Sequence, residues 1–234
     1  MFVRQTCFFL FTAAVLVQVS PSALHAWKLD AGTLQPVVVQ RVVTFNDETA
    51  FDLNADGFAD ALSLSDSQAY LTSGEEVIWQ SPPEWQVMQA SSTDLDGDQK
   101  PEIALLVWRP FQPWPVDRWL PNGGRIAGFH DSNGSSCHII LIGWRNGVFK
   151  EVWAGSALAD PVTAFTAADM NADGALELIT LEGQYADSGS TPARELKIWS
   201  WNGFGFSAID STAGTFHTLI LGKQENGQLV VITP

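Results

Sequence analysis

The chain has 234 residues, a length that suits one large domain or two small ones. Apolar residues make up 46% of the chain and charged residues only 16%, a balance that excludes an intrinsically disordered protein. The net charge is −14, which excludes proteins that need a basic face, such as nucleic-acid binders and proteins that dock on anionic membranes. Ten Trp and 19 Gly beside three Met are typical of short strands joined by tight turns.

Residues 1–26 have the features of a secretory signal peptide. One cation, Arg4, precedes an apolar run over 7–19 that is short for a membrane anchor, and we predict cleavage after Ala26. We therefore expect a secreted, periplasmic or extracellular protein without a membrane span, with a single mature domain over 27–234. Cleavage would remove Cys7 and leave Cys137 as the only thiol, so no intramolecular disulfide is expected.

Three acidic loops recur along the chain, and each precedes an apolar run that is typical of a strand. They share the pattern D-x-[DN]-x-D with a further acid at position nine. This spacing places side-chain oxygens on one side of a tight loop, which suits the six to eight oxygen ligands of Ca²⁺. We predict three Ca²⁺ sites, with ordinary Asx turns as the alternative. Their ligands would be Asp52, Asn54, Asp56 and Asp60; Asp94, Asp96, Asp98 and Glu102; and Asp169, Asn171, Asp173 and Glu177.

The residues around these loops distinguish them from EF-hands. An EF-hand needs Glu at position twelve and flanking helices, but here position twelve is Ser63, Leu105 or Thr180. Gly57 and Gly174 at position six permit a left-handed backbone, whereas the second loop has Gln99 there and is predicted to be strained.

The three loops resemble those of FG-GAP/VCBS repeats, the blades of integrin-α-type β-propellers. The resemblance covers residues 40–232, most of the mature chain. It implies an all-β propeller in which each calcium loop joins the first two strands of a four-stranded blade. It implies no single function, because this family serves in adhesion, in ligand binding and in the accessory domains of enzymes.

The turns between the loops fit this blade pattern. Asn146-Gly147 and Asn202-Gly203 predict hairpins late in the second and third units, and Ser73-Gly74 predicts one more weakly in the first. A fourth unit keeps Asn226-Gly227 but has no carboxylates at the ligand positions, so no metal is predicted there. We expect residues 34–43 to supply a missing strand of this unit. The chain therefore has room for four blades, or for a partial propeller that is completed by association into an oligomer.

The long connection over 109–136 is the predicted recognition surface. It is rich in Pro and carries aromatic and cationic side chains, and Trp and Arg dominate many binding interfaces. The ligand-binding candidates are Trp114, Arg118, Trp119 and Arg125. A Pro-braced structural cap is the alternative for this segment.

Two functions follow from these observations. The first is a binding or adhesion module for a protein or glycan ligand. The alternative is a secreted polysaccharide-acting enzyme, a lyase or hydrolase, with its site in 109–138 and Arg125, His130 or His138 taking part. Adjacent residues on a strand point to opposite faces, so Cys137 and His138 are not expected to act as a pair. No catalytic residue and no organic cofactor is assigned from the sequence.

Overall fold

The computed structural model describes residues 14–17, 25–39, 42–45, 51–113, 126, 128–187 and 189–233. These residues form strands and turns, with no helix among them, so the predicted all-β class is confirmed. The strands are β1 (Ala14–Val17), β2 (His25–Asp30), β3 (Thr33–Val38), β4 (Val42–Phe45), β5 (Asp60–Ser65), β6 (Gln68–Ser73), β7 (Glu76–Gln80), β8 (Gln86–Thr93), β9 (Glu102–Pro110), β10 (Ser135–Arg145), β11 (Val148–Ala154), β12 (Val162–Ala168), β13 (Glu177–Glu182), β14 (Ala193–Trp201), β15 (Phe206–Phe216), β16 (Ile220–Lys223) and β17 (Leu229–Ile232).

The strands form four antiparallel sheets. Three of them are named here after the acidic loop that each contains: loop 1 is 52–60, loop 2 is 94–102 and loop 3 is 169–177. The loop-1 sheet has the order β5-β6-β7, the loop-2 sheet β11-β10-β9-β8 and the loop-3 sheet β12-β13-β14-β15. The fourth, called the terminal sheet, has the order β1-β4-β16-β17-β2-β3.

The terminal sheet joins strands from both ends of the chain. Strand β17 pairs with β2 through Val231 and Trp27, and β16 pairs with β4 through Gly222 and Thr44. The strand that pairs directly with β17 is thus β2, which precedes the predicted range 34–43, and β3, which overlaps that range, pairs with β2. Strand β2 begins at His25, so the predicted cleavage after Ala26 falls inside this strand. The signal peptide itself stays a prediction.

The apolar core lies between sheets that follow one another in the chain. Leu71 and Ile140 meet between the loop-1 and loop-2 sheets, and Leu106 and Phe165 meet between the loop-2 and loop-3 sheets. A third cluster joins the loop-3 sheet to the terminal sheet. Successive side chains of a strand point to opposite faces of its sheet. A sheet that lies between two others is therefore apolar on both faces.

The predicted hairpin turns are present in the described residues. Asn146 and Gly147 adopt φ values of 58° and 80° between β10 and β11, the left-handed pair that a type I′ turn requires. Gly74 and Gly203 adopt positive φ values in the corresponding turns of the loop-1 and loop-3 sheets. No helix long and apolar enough to cross a bilayer occurs in the part of the chain that the structure describes.

Candidate functional site

Each of the three acidic loops leads directly into a strand of its sheet. Loop 2 joins β8 to β9, and loop 3 joins β12 to β13. Loop 1 leads into β5 from Phe51, which pairs with Asp60 by an isolated bridge. Loop 1 thus precedes the first strand of its three-stranded sheet, whereas loops 2 and 3 connect the first strand of their sheets to the second. Loops 2 and 3 therefore have the position that the sequence analysis expected from the resemblance.

The backbone of the loops repeats residue by residue. Position four is left-handed in every loop, at Ala55, Gly97 and Ala172, with φ values of 58°, 72° and 63°. Position six is also left-handed, and Gln99 takes φ 65° there where the other loops have Gly. A non-Gly residue in this region costs about 1 kcal/mol or more, and each loop has one, at Ala55, Gln99 and Ala172, so the strain predicted for loop 2 does not set it apart from the other loops.

The acid at position one accepts hydrogen bonds from the backbone of its own loop, two in loops 1 and 3 and one in loop 2. Asp52 accepts from the N–H of Asp56 and of Gly57 at 3.0 and 2.9 Å. Asp169 accepts in the same way from Asp173 and Gly174, and Asp94 accepts from Gln99 at 3.0 Å. These bonds hold the acid at position one against the turn, with the side chains of positions three and five beside it.

Position nine anchors each loop to the core. Asp60, Glu102 and Glu177 are 3%, 0% and 2% exposed, although all three are acids. The apolar residue at position two is buried as well, in Leu53, Leu95 and Met170. The backbone N–H of Leu53 donates to Asp60 and that of Met170 donates to Glu177, both at 2.8 Å. The sequence analysis missed this anchor, although an apolar residue at position two recurs in all three loops.

The four acids of loop 2 converge on one point. One carboxylate oxygen from each of Asp94, Asp96, Asp98 and Glu102 lies within 4.8 Å of the others, so this group could hold a metal ion. That spread suits oxygen ligands on a shell of radius about 2.4 Å, the distance that Ca²⁺ prefers. Among the described residues this is the one group of three or more such acids; loops 1 and 3 present three acids and an Asn in a looser arrangement.

Buried carboxylate oxygens without a partner lie in loops 1 and 2. They are Asp60 Oδ1, Asp94 Oδ1 and Glu102 Oε2. A buried charged oxygen that lacks a hydrogen bond or a counter-ion is costly. A bound cation would satisfy these atoms, so the residues present fit the metal that the sequence predicts.

The pKa values of the acids at position nine also favour a bound cation. Burial, helped by the negative charges of Asp96, Asp98 and Asp94 and opposed by the positive charge of Arg145, raises the pKa of Glu102 to about 8. Burial also raises the pKa of Asp60 and of Glu177. Acids that repel one another in a buried cluster favour either a proton or a cation, and a divalent ion removes the repulsion at neutral pH.

A donor group bridges positions five and nine in two of the loops, but its source differs. In loop 3 the amide of Asn171 donates to Asp173 at 3.0 Å and to Glu177 at 2.7 Å. In loop 2 position three is Asp96, which has no such donor. Arg145 supplies it instead, with Nη2 at 2.8 Å from Asp98 and 3.4 Å from Glu102.

The fourth unit keeps the turn but lacks carboxylates at the ligand positions. Its turn joins the paired strands β16 and β17, as loops 2 and 3 join paired strands in their sheets. Gly227 takes φ 88°, and the side chain of Asn226 accepts from the N–H of Gln228. The predicted absence of metal here stays a prediction, because the turn offers no set of carboxylates that would test it.

A pocket lies at the other end of the loop-2 sheet. Its volume is about 370 Å³, and it is lined by residues that include Trp85, Arg109, His138 and Glu151. Trp85 precedes β8 and Arg109 lies near the end of β9, whereas loop 2 joins the opposite ends of these strands. The insertion begins at this pocket. The predicted ligand residues Trp114, Arg118, Trp119 and Arg125 lie outside the described residues.

One wall of this pocket contains a Ser–His pair that the sequence analysis did not foresee. Nδ1 of His138 lies 3.0 Å from the carbonyl oxygen of Gly155, so this nitrogen carries the proton. Burial lowers the pKa of His138 to about 4, so the ring is neutral at pH 7 and Nε2 accepts from the hydroxyl of Ser136 at 2.7 Å. Ser136 is 0% exposed, so its hydroxyl supports the ring and does not face a ligand. Residues i and i+2 of one strand lie on the same face, so the strand alternation around Ser136 and His138 was the signal that could have revealed the pair.

The other candidate catalytic residues are separated. Cys137 faces the core between the loop-2 and loop-3 sheets, on the opposite side of β10 from His138, as predicted. Its burial raises the pKa of the thiol to about 12, which makes it unreactive at neutral pH. Nδ1 of His130 lies 2.8 Å from the carbonyl oxygen of Asp131, and its ring packs on Phe111 at a centroid distance of 5.1 Å.

Comparison with known proteins gives no match to this chain, either among protein-family models or among curated proteins. The resemblance to FG-GAP/VCBS repeats therefore depends on the residues of the loops and on the strand that each loop leads into.

Proposed function

We propose that this protein is a calcium-binding β-propeller of the FG-GAP/VCBS type that acts, after secretion, as a binding module for a protein or glycan ligand. The four antiparallel sheets would be its blades. The terminal sheet would close the ring with strands from both ends of the chain. A closed ring removes the exposed sheet edges that would otherwise pair with other chains.

The buried, unpartnered oxygens of Asp60, Asp94 and Glu102 carry the metal part of this proposal. Ca²⁺ would be held by the side chains at positions one, three, five and nine of each loop. When bound, the ion neutralises the clustered carboxylates and fixes the connection between the first two strands of a blade. This role matters in a chain that, once cleaved at Ala26, would have no disulfide to stabilise it.

The ligand part of the proposal rests on where the insertion starts. Loop 2 and the Arg109 pocket lie at opposite ends of the same sheet. The metal is therefore proposed to stabilise the scaffold, and the ligand to bind at the other end, where the insertion with Trp114, Arg118, Trp119 and Arg125 emerges. This division leaves the long connection free to vary without loss of the fold.

Thermal unfolding with and without metal tests the proposal. A ligand that binds only the folded state stabilises it by about 2.7 kcal/mol per site at a hundredfold excess over its Kd. We expect the melting temperature to rise with Ca²⁺ and to fall with a chelator. The combined variant Asp56→Asn, Asp98→Asn and Asp173→Asn, which alters position five of every loop, should remove the response. An unchanged melting temperature in the wild-type protein would contradict the proposal.

A further inference from the structure

The Arg109 pocket holds an arginine whose charge has no described counterpart. The guanidinium carbon of Arg109 lies 5.8 Å from the ring centroid of Trp85, which fixes the side chain by a cation–π contact. No carboxylate of a described residue lies within ion-pair distance of it, although Glu84 and Glu151 line the same pocket. Its planar fork of donors is therefore available to an oxyanion, and a carboxylate is the group that it binds in a bidentate way.

The remaining polar groups of the pocket define what must accompany that carboxylate. Glu84 and Glu151 accept hydrogen bonds and repel a second negative charge, and Gln112 both donates and accepts. The ring of His138 is neutral and both its nitrogens already have partners, so it adds no charge. A ligand with one carboxylate and several hydroxyl donors satisfies this set.

A second pocket of about 220 Å³ adjoins the first. It shares Gly155, Ser156 and Ala157 with the first pocket, and its aromatic walls are Trp153 of the loop-2 sheet and Trp199 and Phe206 of the loop-3 sheet. Aromatic walls pack well against the C–H faces of a sugar ring. A ligand that spans both pockets is therefore an oligomer with a polar, charged residue beside a ring with an apolar face.

From these contacts we propose that the Arg109 pocket binds a uronic-acid residue of an acidic polysaccharide, with the adjacent ring of the polymer in the aromatic pocket. This inference deepens the proposed binding function and names its ligand class. It depends on the ligand part of that proposal and not on the metal part.

Titration with defined oligosaccharides tests the pocket. The probes are uronate trimers that carry a single galacturonate or glucuronate on two neutral sugars, the methyl ester of each, and the matching neutral trisaccharides. Binding is followed by calorimetry and by tryptophan fluorescence. We expect at least one uronate trimer to bind and its neutral counterpart to bind at least about tenfold more weakly, since the carboxylate–Arg pair is lost. Arg109→Gln should abolish the preference for the acid, while Arg194→Gln, a control at the exposed pair with Asp187, should keep it.

Two results would overturn the pocket proposal. One is a wild-type protein, folded by its melting curve, that binds none of the uronate trimers. The other is a uronate affinity that Arg109→Gln leaves unchanged. Tight binding of a zwitterionic peptide in place of the trimers would assign the pocket to a protein ligand and would also contradict it. None of these results would alter the calcium response, so failure here is distinguishable from failure of the metal proposal.

A second, independent inference concerns the contact between Arg145 and loop 2. In each loop, Oδ1 of the Asp at position five accepts from the backbone N–H at position seven, which leaves Oδ2 for a metal. In loops 1 and 3 that Oδ2 accepts from the neutral amide of Asn54 or Asn171. In loop 2 the Oδ2 of Asp98 is held by the positive charge of Arg145 at 2.8 Å.

We infer that Arg145 is a built-in competitor of the cation at loop 2. A neutral amide can rotate to offer its oxygen, but a guanidinium has no acceptor and must leave Asp98 or share it with a like charge. Loop 2 therefore has two arrangements, one closed by Arg145 and one closed by metal. The inference rests on the proposed metal function, and it predicts that loop 2 binds Ca²⁺ more weakly than its four acids alone would allow.

Calcium affinity measured at loop 2 alone tests this competition. The background carries Asp56→Asn and Asp173→Asn, which weaken loops 1 and 3. In this background Arg145→Gln should bind Ca²⁺ about tenfold more tightly, because it removes a positive charge about 3 Å from a ligand oxygen. Arg145→Lys, which keeps the charge, should stay near the parent, and Arg194→Gln should have no effect.

The possible outcomes separate the competition from the metal site itself. Equal or weaker Ca²⁺ binding by Arg145→Gln, in a protein whose melting curve shows it is folded, would overturn the competition and leave the site intact. No Ca²⁺ binding by loop 2 in any variant would overturn both the competition and the metal assignment of this loop.

Discussion

The indole nitrogen of Trp27 donates a hydrogen bond to the hydroxyl oxygen of Thr233 at 3.2 Å, across 206 positions of the chain. Trp27 also pairs with Val231 in the ladder between β2 and β17. The two ends of the described chain are therefore joined by side-chain and backbone contacts in one sheet. The stability of this sheet therefore depends on contacts between residues that are 206 positions apart in the sequence.

Leu29 tests whether this N-terminal hairpin belongs to the core. It is 4% exposed on β2 and packs with the core between the terminal and loop-3 sheets. Leu29→Ala should lower the free energy of unfolding by about 2–5 kcal/mol, because it removes buried methyl groups and leaves a cavity. Val38→Ala is the matched control on the paired strand β3, where Val38 is 81% exposed, and it should change stability by less than about 0.5 kcal/mol. Urea denaturation measures the free energy of unfolding of both variants. Equal losses would contradict the place of Leu29 in the core.

The buried ring of His138 predicts a pH-dependent component of stability. Its pKa is lowered from 6.5 in the unfolded chain to about 4 in the folded one. Between these values the unfolded chain binds a proton on this ring and the folded chain does not, so stability falls as the pH falls from 6.5 towards 4. The loss amounts to about 3 kcal/mol at the lower end.

The variant His138→Gln isolates this component. The difference in unfolding free energy between the wild type and His138→Gln should shrink by that amount as the pH falls through the window. A difference that stays constant across the window would show that the ring is not held neutral.

Cys137 should resist thiol reagents in the folded protein. It is 0% exposed, and burial raises the pKa of its thiol to about 12, so almost no thiolate forms at pH 8. In a Cys7→Ser background, Ellman's reagent should react with no thiol in the native protein and with one thiol in denaturant. Rapid reaction in the native state would mean that the interface between the loop-2 and loop-3 sheets opens.

Local sequence signals predicted the loops and hairpins well. The D-x-[DN]-x-D spacing fixes which oxygens meet, and Asn146-Gly147 fixes the turn that follows β10, because both depend only on neighbours in the chain.

Long-range geometry could not be predicted in the same way. Arg145 reaches Asp98 and Glu102 only because the register of β9 against β10 brings the end of β10 beside loop 2. Likewise, the Arg109 pocket needs Trp85 from the preceding strand connection. A single sequence carries no information on such register, so both sites became visible only with the sheets assembled.

The calcium content of the protein, measured loop by loop, tests the central claim most directly. The purified protein is equilibrated with Ca²⁺, separated from free ion by gel filtration and analysed for metal per chain. We predict about three Ca²⁺ ions per chain, and a loss of about one for each of Asp56→Asn, Asp98→Asn and Asp173→Asn, because each change removes a ligand charge from one loop. A wild-type protein that retains no Ca²⁺, or variants that retain as much as the wild type, would contradict the account.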